Sequence, residues 1–111
     1  RRETLVVAMI ESHEGVDAIG DIAGVDGIDM LFIGPLDLTS GYGRYGDLGS
    51  SELREAIVLA ESRILASGCL LGGAAISAND LSSMFERGYA FVTAASDTGL
   101  LVQASKAAVR P

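Results

Sequence analysis

Two carboxylates, Glu11 and Asp37, each stand just past a short apolar run in this 111-residue sequence. Leu5 to Ile10 leads straight into Glu11, and Met30 to Ile33 leads through Gly34-Pro35 to Asp37. The acids are 26 positions apart, close to one strand–helix–strand repeat. If the two runs are neighbouring parallel strands, both acids leave the sheet on the same edge, roughly 5 Å apart. Carboxylates so placed either repel one another or share a cation. Each acid alone reads equally well as a helix cap. As a pair they favour the cation, because both follow a wholly apolar strand and so lie at the carboxyl rim, where parallel α/β proteins keep their active sites. Gly34-Pro35 also forces a sharp turn that presents the backbone N–H groups of Leu36 and Asp37. A magnesium-type ion takes one or two carboxylates and leaves its other positions to water and substrate. Acids with free amides beside them suit a 2-oxo carboxylate.

Other reactive residues offer less. His13, the single histidine, is two residues past Glu11 and can serve as a base or metal ligand, but reads better as part of the first turn of the next helix. Gly41, Gly43 and Gly46 match the dinucleotide pattern G-x-G-x-x-G without the strand-to-helix turn or the later ribose-binding acid that the pattern needs. As a rim loop, this stretch can bring Arg44 towards an anionic substrate. No Cys/His metal spacing and no Ser-His-Asp set can be assembled, and Lys106 falls on the last helix, away from the rim strands, which leaves a Schiff base unsupported. The lone Cys69 reads as a small buried residue. With no partner for a disulfide, it points to a reducing, cytoplasmic setting.

The elements that must position the acids alternate strictly. Leu5–Ile10 is the first strand, followed by helical spacing at Val16, Ile19 and Ile22 with a stop at Gly24. Met30–Ile33 is the second strand, and residues 41–49 form a glycine-rich loop. Ser50 or Ser51 caps a long helix that buries Leu53, Ile57, Ile64 and Leu65 and stops at Gly68. Cys69–Ile76 is the third strand, where paired glycines at 72 and 73 mark a close approach of backbone or ligand. Ser77 and Asp80 resemble a capping box for a short helix through Leu81, Met84 and Phe85. Ala90–Ala95 is the fourth strand, and Ser96 or Asp97 caps a last helix carrying Leu100, Leu101, Ala104 and Ala108. Arg1-Arg2-Glu3 reads as the end of a surface helix.

Four βα units in one segment, 1–111, predict an α/β fold with parallel strands and right-handed crossovers. That is half of a (β/α)8 barrel, which typically needs about 250 residues. Half a barrel leaves two sheet edges open to pairing, so association is expected. The formal charge of −7 argues against a nucleic-acid partner, and no apolar run is long enough for a membrane span.

The sequence resembles the C-terminal part of the HpcH/HpaI aldolases. Ile-Glu-Ser at 10–12, Gly-Val-Asp-Gly at 24–27, Phe-Ile-Gly-Pro-Leu-Asp-Leu at 32–38 and Ser-Asp-Thr-Gly-Leu-Leu at 96–101 carry the likeness, in order and at the expected spacings. The resemblance implies a class II pyruvate aldolase on a (β/α)8 barrel, a carbon–carbon lyase cleaving or forming 4-hydroxy-2-oxo acids from pyruvate and an aldehyde. It implies Glu11 and Asp37 as ligands of Mg2+ or Mn2+, with Co2+ a third candidate. It also implies Gly34 and the amides of Leu36 and Asp37 as the pyruvate-carboxylate site, and a homo-oligomer. The family's active-site arginine and catalytic histidine belong to the N-terminal half of the barrel, so no catalytic residue is assigned here. Met9 stands where many members carry glutamine.

Three other readings compete. Ile10-Glu11-Ser12-His13-Glu14-Gly15 is similar to a pyruvate kinase stretch, but Met9 replaces the lysine that those enzymes need, and the Gly-Pro-Leu-Asp-Leu turn differs from theirs. The citrate lyase β-subunit family would extend the substrate to an acyl-CoA. A non-catalytic half-barrel would serve only assembly.

Overall fold

The computed structural model describes residues 3–109; Arg1 and Arg2, expected to end a surface helix, lie outside the described residues. Four strands, β1 (Val7–Ile10), β2 (Met30–Ile33), β3 (Leu70–Ala74) and β4 (Phe91–Thr93), form one sheet in sequential order. Every pairing is parallel, with Ile10 opposite Ile33 and Ile33 opposite Gly73. Between the strands run α1 (His13–Asp17), α2 (Ile19–Ala23), α3 (Pro35–Ser40), α4 (Ser51–Ser67) and α5 (Leu81–Glu86), and α6 (Asp97–Ala108) comes after β4. This is the expected half-barrel of four βα units.

The two sheet faces differ sharply. Ile10, Leu31, Ile33 and Leu71 point to the helices and are at most 2% exposed. Ile19, Leu53, Ala60 and Ile64 meet them from α2 and α4. Each large side chain buried there stabilises the fold by about 1.5–3 kcal/mol. The opposite face carries Val7, Met9, Leu70 and Phe91, all exposed by 43–53%, with Phe32 half-covered and Met30 buried between them. Strands of a closed barrel turn this face inwards. The radius of gyration, 15.4 Å, exceeds the roughly 13 Å of a compact chain this long, as an open slab should.

Local chemistry sets the helix ends. Ser50 Oγ accepts from Leu53 N at 3.2 Å to start α4, and Gly68 closes it at φ +83°, a left-handed geometry natural to glycine. Arg63 Nη1 donates to Val16 O at 2.8 Å and ties α4 to α1. Ser77 N donates to Asp80 Oδ2 at 2.9 Å across a 3-10 turn at Ala78–Asp80, so the predicted capping box forms ahead of α5. Ser96 Oγ caps α6 by accepting from Gly99 N at 3.0 Å.

Several expectations need correction. The helix after β1 is two short helices with a break at Ala18, and the run after Gly34-Pro35 is the six-residue α3 rather than a bare turn. β1, β3 and β4 are shorter than their apolar runs, although Val6, Ala75 and Ala90, just outside them, still bond to the neighbouring strands. Leu65 is 49% exposed because it leans over Gly88 rather than into the core. α6 buries none of its residues. Cys69 is half-buried, with Sγ 3.9 Å from Ala23 O. No helix among the described residues is long and apolar enough to cross a membrane.

Gly72 and Gly73 serve packing. A Cβ on Gly73 would lie 2.7 Å from the ring of Tyr89, and one on Gly72 would lie 2.7 Å from Met30 Sδ. Tyr89 is locked, since its hydroxyl donates to Glu61 Oε1 at 2.7 Å and Arg87 Nε donates to the same oxygen at 3.2 Å. Glu61 is thereby a buried carboxylate with partners. Burial, with the bond to Glu61 and its charge, pushes the Tyr89 hydroxyl well above its ordinary pKa.

Candidate functional site

The pairing of Ile10 with Ile33 brings Glu11 level with Gly34 at the carboxyl end of β1 and β2. Gly34 N donates to Ile10 O at 3.0 Å, which closes the two strand ends together. Glu11 then overhangs the turn: a Cβ on Gly34 would sit 3.4 Å from Glu11 Cβ and 3.8 Å from its Oε2. Gly34 is the N-cap of α3, Pro35 its first residue, and Asp37 lies in its first turn. Pro at this place sacrifices no hydrogen bond, because the first amides of a helix have no partner within it. Gly34 supplies no side-chain cap, and the amides of Leu36 and Asp37 meet no acceptor among the described residues. Leu36 and Asp37 are exposed, while Leu38 and Thr39 are buried and anchor α3.

Glu11 is therefore set against Gly34, and Leu36 and Asp37 follow Gly34 within the first turn of α3. Neither carboxylate has an ion-pair or hydrogen-bond partner among the described residues, in contrast to Glu61. Two unpartnered hard-oxygen donors beside free amides are a donor set suited to a magnesium-type ion. No group of three or more His, Cys, Asp or Glu side chains converges on a metal-sized space among the described residues. Gly34, Leu36 and Asp37 also line an open concavity of about 950 Å³ on the exposed sheet face. Met9 and Phe32 form its floor, and Ser77 and Ser96 stand on its far rim.

The remaining candidates are placed elsewhere. Arg44 turns to its own neighbours, Asp47 at 3.7 Å and Glu52 at 3.8 Å, instead of reaching towards the concavity. The glycine-rich stretch joins α3 to α4, so it lacks the strand-to-helix turn of a dinucleotide site. Its inner anchor is Thr39, which sequence reasoning missed: Thr39 Oγ1 accepts from Gly46 N at 2.9 Å, and Thr39 O accepts from Arg44 N at 3.1 Å. Lys106 departs from expectation: instead of lying away from the rim, it lines the far side of the same concavity from α6. His13 begins α1, as expected of a first-turn residue, and its ring stands edge-on to Tyr42. Partial burial, with Asp17, Glu52 and Glu55 nearby, raises the Tyr42 hydroxyl above its ordinary pKa.

The HpcH/HpaI aldolase/citrate lyase family matches residues 1–104. A hydroxypyruvate/pyruvate aldolase of Delftia acidovorans is 37% identical over 92% of the chain, which covers 38% of that protein. A 5-keto-4-deoxy-D-glucarate aldolase of an Enterobacter strain is 35% identical over 91% of the chain, covering 40% of it. Among solved structures, an HpcH/HpaI aldolase/citrate lyase family protein of Burkholderia cenocepacia superposes with a TM-score of 0.86. It is 29% identical and is matched over 97% of this chain and 42% of its own. The chain thus spans about two-fifths of the length of the relatives it matches.

Proposed function

Because the chain belongs to the HpcH/HpaI aldolase/citrate lyase family, we propose that it carries the metal and pyruvate cradle of a divalent-metal-dependent aldolase. The observation that carries this reading is the seating of Glu11 against the Gly34 turn, with Asp37 and two free amides beside it. Mg2+ or Mn2+ fits that donor set better than a softer ion, because every donor is a carboxylate oxygen. The names of the relatives, hydroxypyruvate/pyruvate aldolase and 5-keto-4-deoxy-D-glucarate aldolase, support 2-oxo acids as the substrate class.

In this reading Glu11 and Asp37 would hold the cation, which would supply electrostatic stabilisation for negative charge on a bound 2-oxo acid. The Leu36 and Asp37 amides donate to the substrate carboxylate and fix its orientation, at the positive end of α3. Gly34 keeps side-chain bulk away from the Glu11 carboxylate. The 4-hydroxyl proton is taken by a base outside these residues, in the part of the relatives' length that this chain does not span. That part would also select the aldehyde.

Pyruvate release from a 4-hydroxy-2-oxo acid by the full-length protein, measured with a coupled dehydrogenase, tests the reading. Exhaustive chelation is expected to remove at least about 99% of the rate, which Mn2+ or Mg2+ then restores. A rate that survives chelation would contradict it.

The exposed row Val7, Met9, Leu70 and Phe91 favours a second role alongside the first. It is the surface on which the other βα units of a complete barrel would close, so residues 1–111 alone would associate rather than turn over substrate.

A further inference from the structure

The two carboxylates ride on separate supports. Glu11 comes directly after β1 and is held by the turn into α1, where Ser12 Oγ accepts from Gly15 N at 3.0 Å. Asp37 rides on α3, a six-residue helix too short to persist by itself. Beyond α3 the chain runs through the glycine-rich loop 41–49, most of whose positions are exposed. The proposed site therefore depends on whatever fixes the end of α3 relative to the start of α1.

His13 makes that connection. Its ring lies 3.8 Å from the Tyr42 ring, centroid to centroid, at 67°. This is an edge-on contact tighter than the usual separation of about 4.5–7 Å. Gly41 is pressed onto the same imidazole: a Cβ there would fall 2.6 Å from His13 Cδ2 and 3.1 Å from Nε2. Only a residue without a side chain lets the backbone come so near. Gly41 N in turn donates to Leu38 O, and Tyr42 N to Thr39 O, so the contact is passed directly into α3. Gly41 and Tyr42 lie four and five residues beyond Asp37, and His13 lies two beyond Glu11. Gly43, Gly46 and Gly49, farther along the loop, meet no side chain in this way except a distant contact of Gly49 with Asp47.

We propose that His13 is a positioning residue, a latch whose ring, wedged between Gly41 and Tyr42, holds the Asp37-bearing helix in register with Glu11. This rests on the metal reading above. It gives the imidazole a role in packing, without proton transfer or metal ligation. It also explains why the loop begins with glycine.

The test uses the full-length protein and two readouts, amide hydrogen exchange of residues 36–46 without metal and the Mn2+ dissociation constant. In His13→Ala, exchange over 36–46 should rise at least about fivefold and Mn2+ should bind about tenfold more weakly, the lower end for residues that orient metal ligands. His13→Phe, which keeps a ring and loses both nitrogens, should stay within about threefold of wild type in both. Gly41→Ala should displace the ring and behave as His13→Ala does. Unchanged exchange in both His13→Ala and Gly41→Ala overturns the latch. A phenylalanine variant as weak as the alanine one overturns it too, because the nitrogens would then matter. Glu11→Gln, measured alongside, separates the two ideas. If it binds Mn2+ like wild type, the metal assignment fails, and the metal-free exchange alone decides for or against the latch.

Discussion

Full-length protein carrying Asp37→Ala is expected to lose about a thousandfold in kcat/KM for metal-dependent aldol cleavage, equivalent to roughly 4 kcal/mol of transition-state stabilisation. Asp37 is one of the two carboxylates that follow the ends of β1 and β2, and Glu61, the acid buried on α4, is already committed to Tyr89 and Arg87. No third acid, histidine or cysteine converges there among the described residues, so none can substitute. Asp37 also sits in the first turn of α3, where a negative charge stabilises the helix by about 0.3–1 kcal/mol. Asp37→Asn keeps the size and most of the local hydrogen bonding. An equal loss in both variants, with unchanged thermal unfolding of Asp37→Asn, places the effect in catalysis. Wild-type turnover in either variant, still requiring metal, would remove Asp37 from the site.

The second large effect concerns neighbouring glycines that behave differently. Gly73→Ala is expected to cost about 2 kcal/mol in urea unfolding, while Gly72→Ala stays within about 0.5 kcal/mol of wild type. Both new methyl groups meet an atom at 2.7 Å. At Gly72 the nearest obstacle is Met30 Sδ, on a flexible thioether that can rotate aside, and the Phe32 ring follows at 3.1 Å with no hydrogen bond to hold it. The lower entropy of the unfolded alanine chain offsets much of the remaining strain. At Gly73 the obstacle is the Tyr89 ring, whose hydroxyl is held by Glu61. Moving the ring breaks that bond and leaves a buried carboxylate with one partner fewer, which adds to the overpacking cost. Equal costs at the two sites would contradict this account of the Tyr89 lock.

Parts of the fold are legible in the sequence alone. β2 is bounded by Asp26-Gly27 on one side and Gly34-Pro35 on the other, and its limits agree with the apolar run to the residue. The apolar runs overstate β3 and β4 because Ala75, Ile76, Ala94 and Ala95 continue them. Those residues line the open concavity, although Ala75 N still donates to Thr93 O at 3.0 Å. Nothing in the spacing of Val16, Ile19 and Ile22 betrays the break at Ala18, because both short helices keep one apolar face towards α4. α3 leaves a usable signal, Pro35 at a first helical position with Asp37 in its first turn, although six residues are too few for periodicity to emerge.

At the site, the chain order is enough to predict that Glu11 faces Gly34, because parallel register and the Gly-Pro turn are local consequences of sequence. The His13–Tyr42 contact is not visible there. It joins residues 29 positions apart across two loops, and neither ring advertises the other. Glu61 is equally hidden, although its place on the buried face of α4, between Ala60 and Ile64, marks it as an acid that must find partners. Arg44 misleads for the opposite reason. A free-looking cation beside glycines suggests reach, but acids three and eight residues later claim it first.

Manganese binding measured by electron paramagnetic resonance tests the central claim most directly, since the six-line signal of free Mn2+ falls as the ion is bound. The full-length protein should bind one Mn2+ per chain, with Glu11→Gln and Asp37→Asn each weakening it by at least about a hundredfold. Wild-type affinity in both variants would contradict the assignment of these two carboxylates as the metal site.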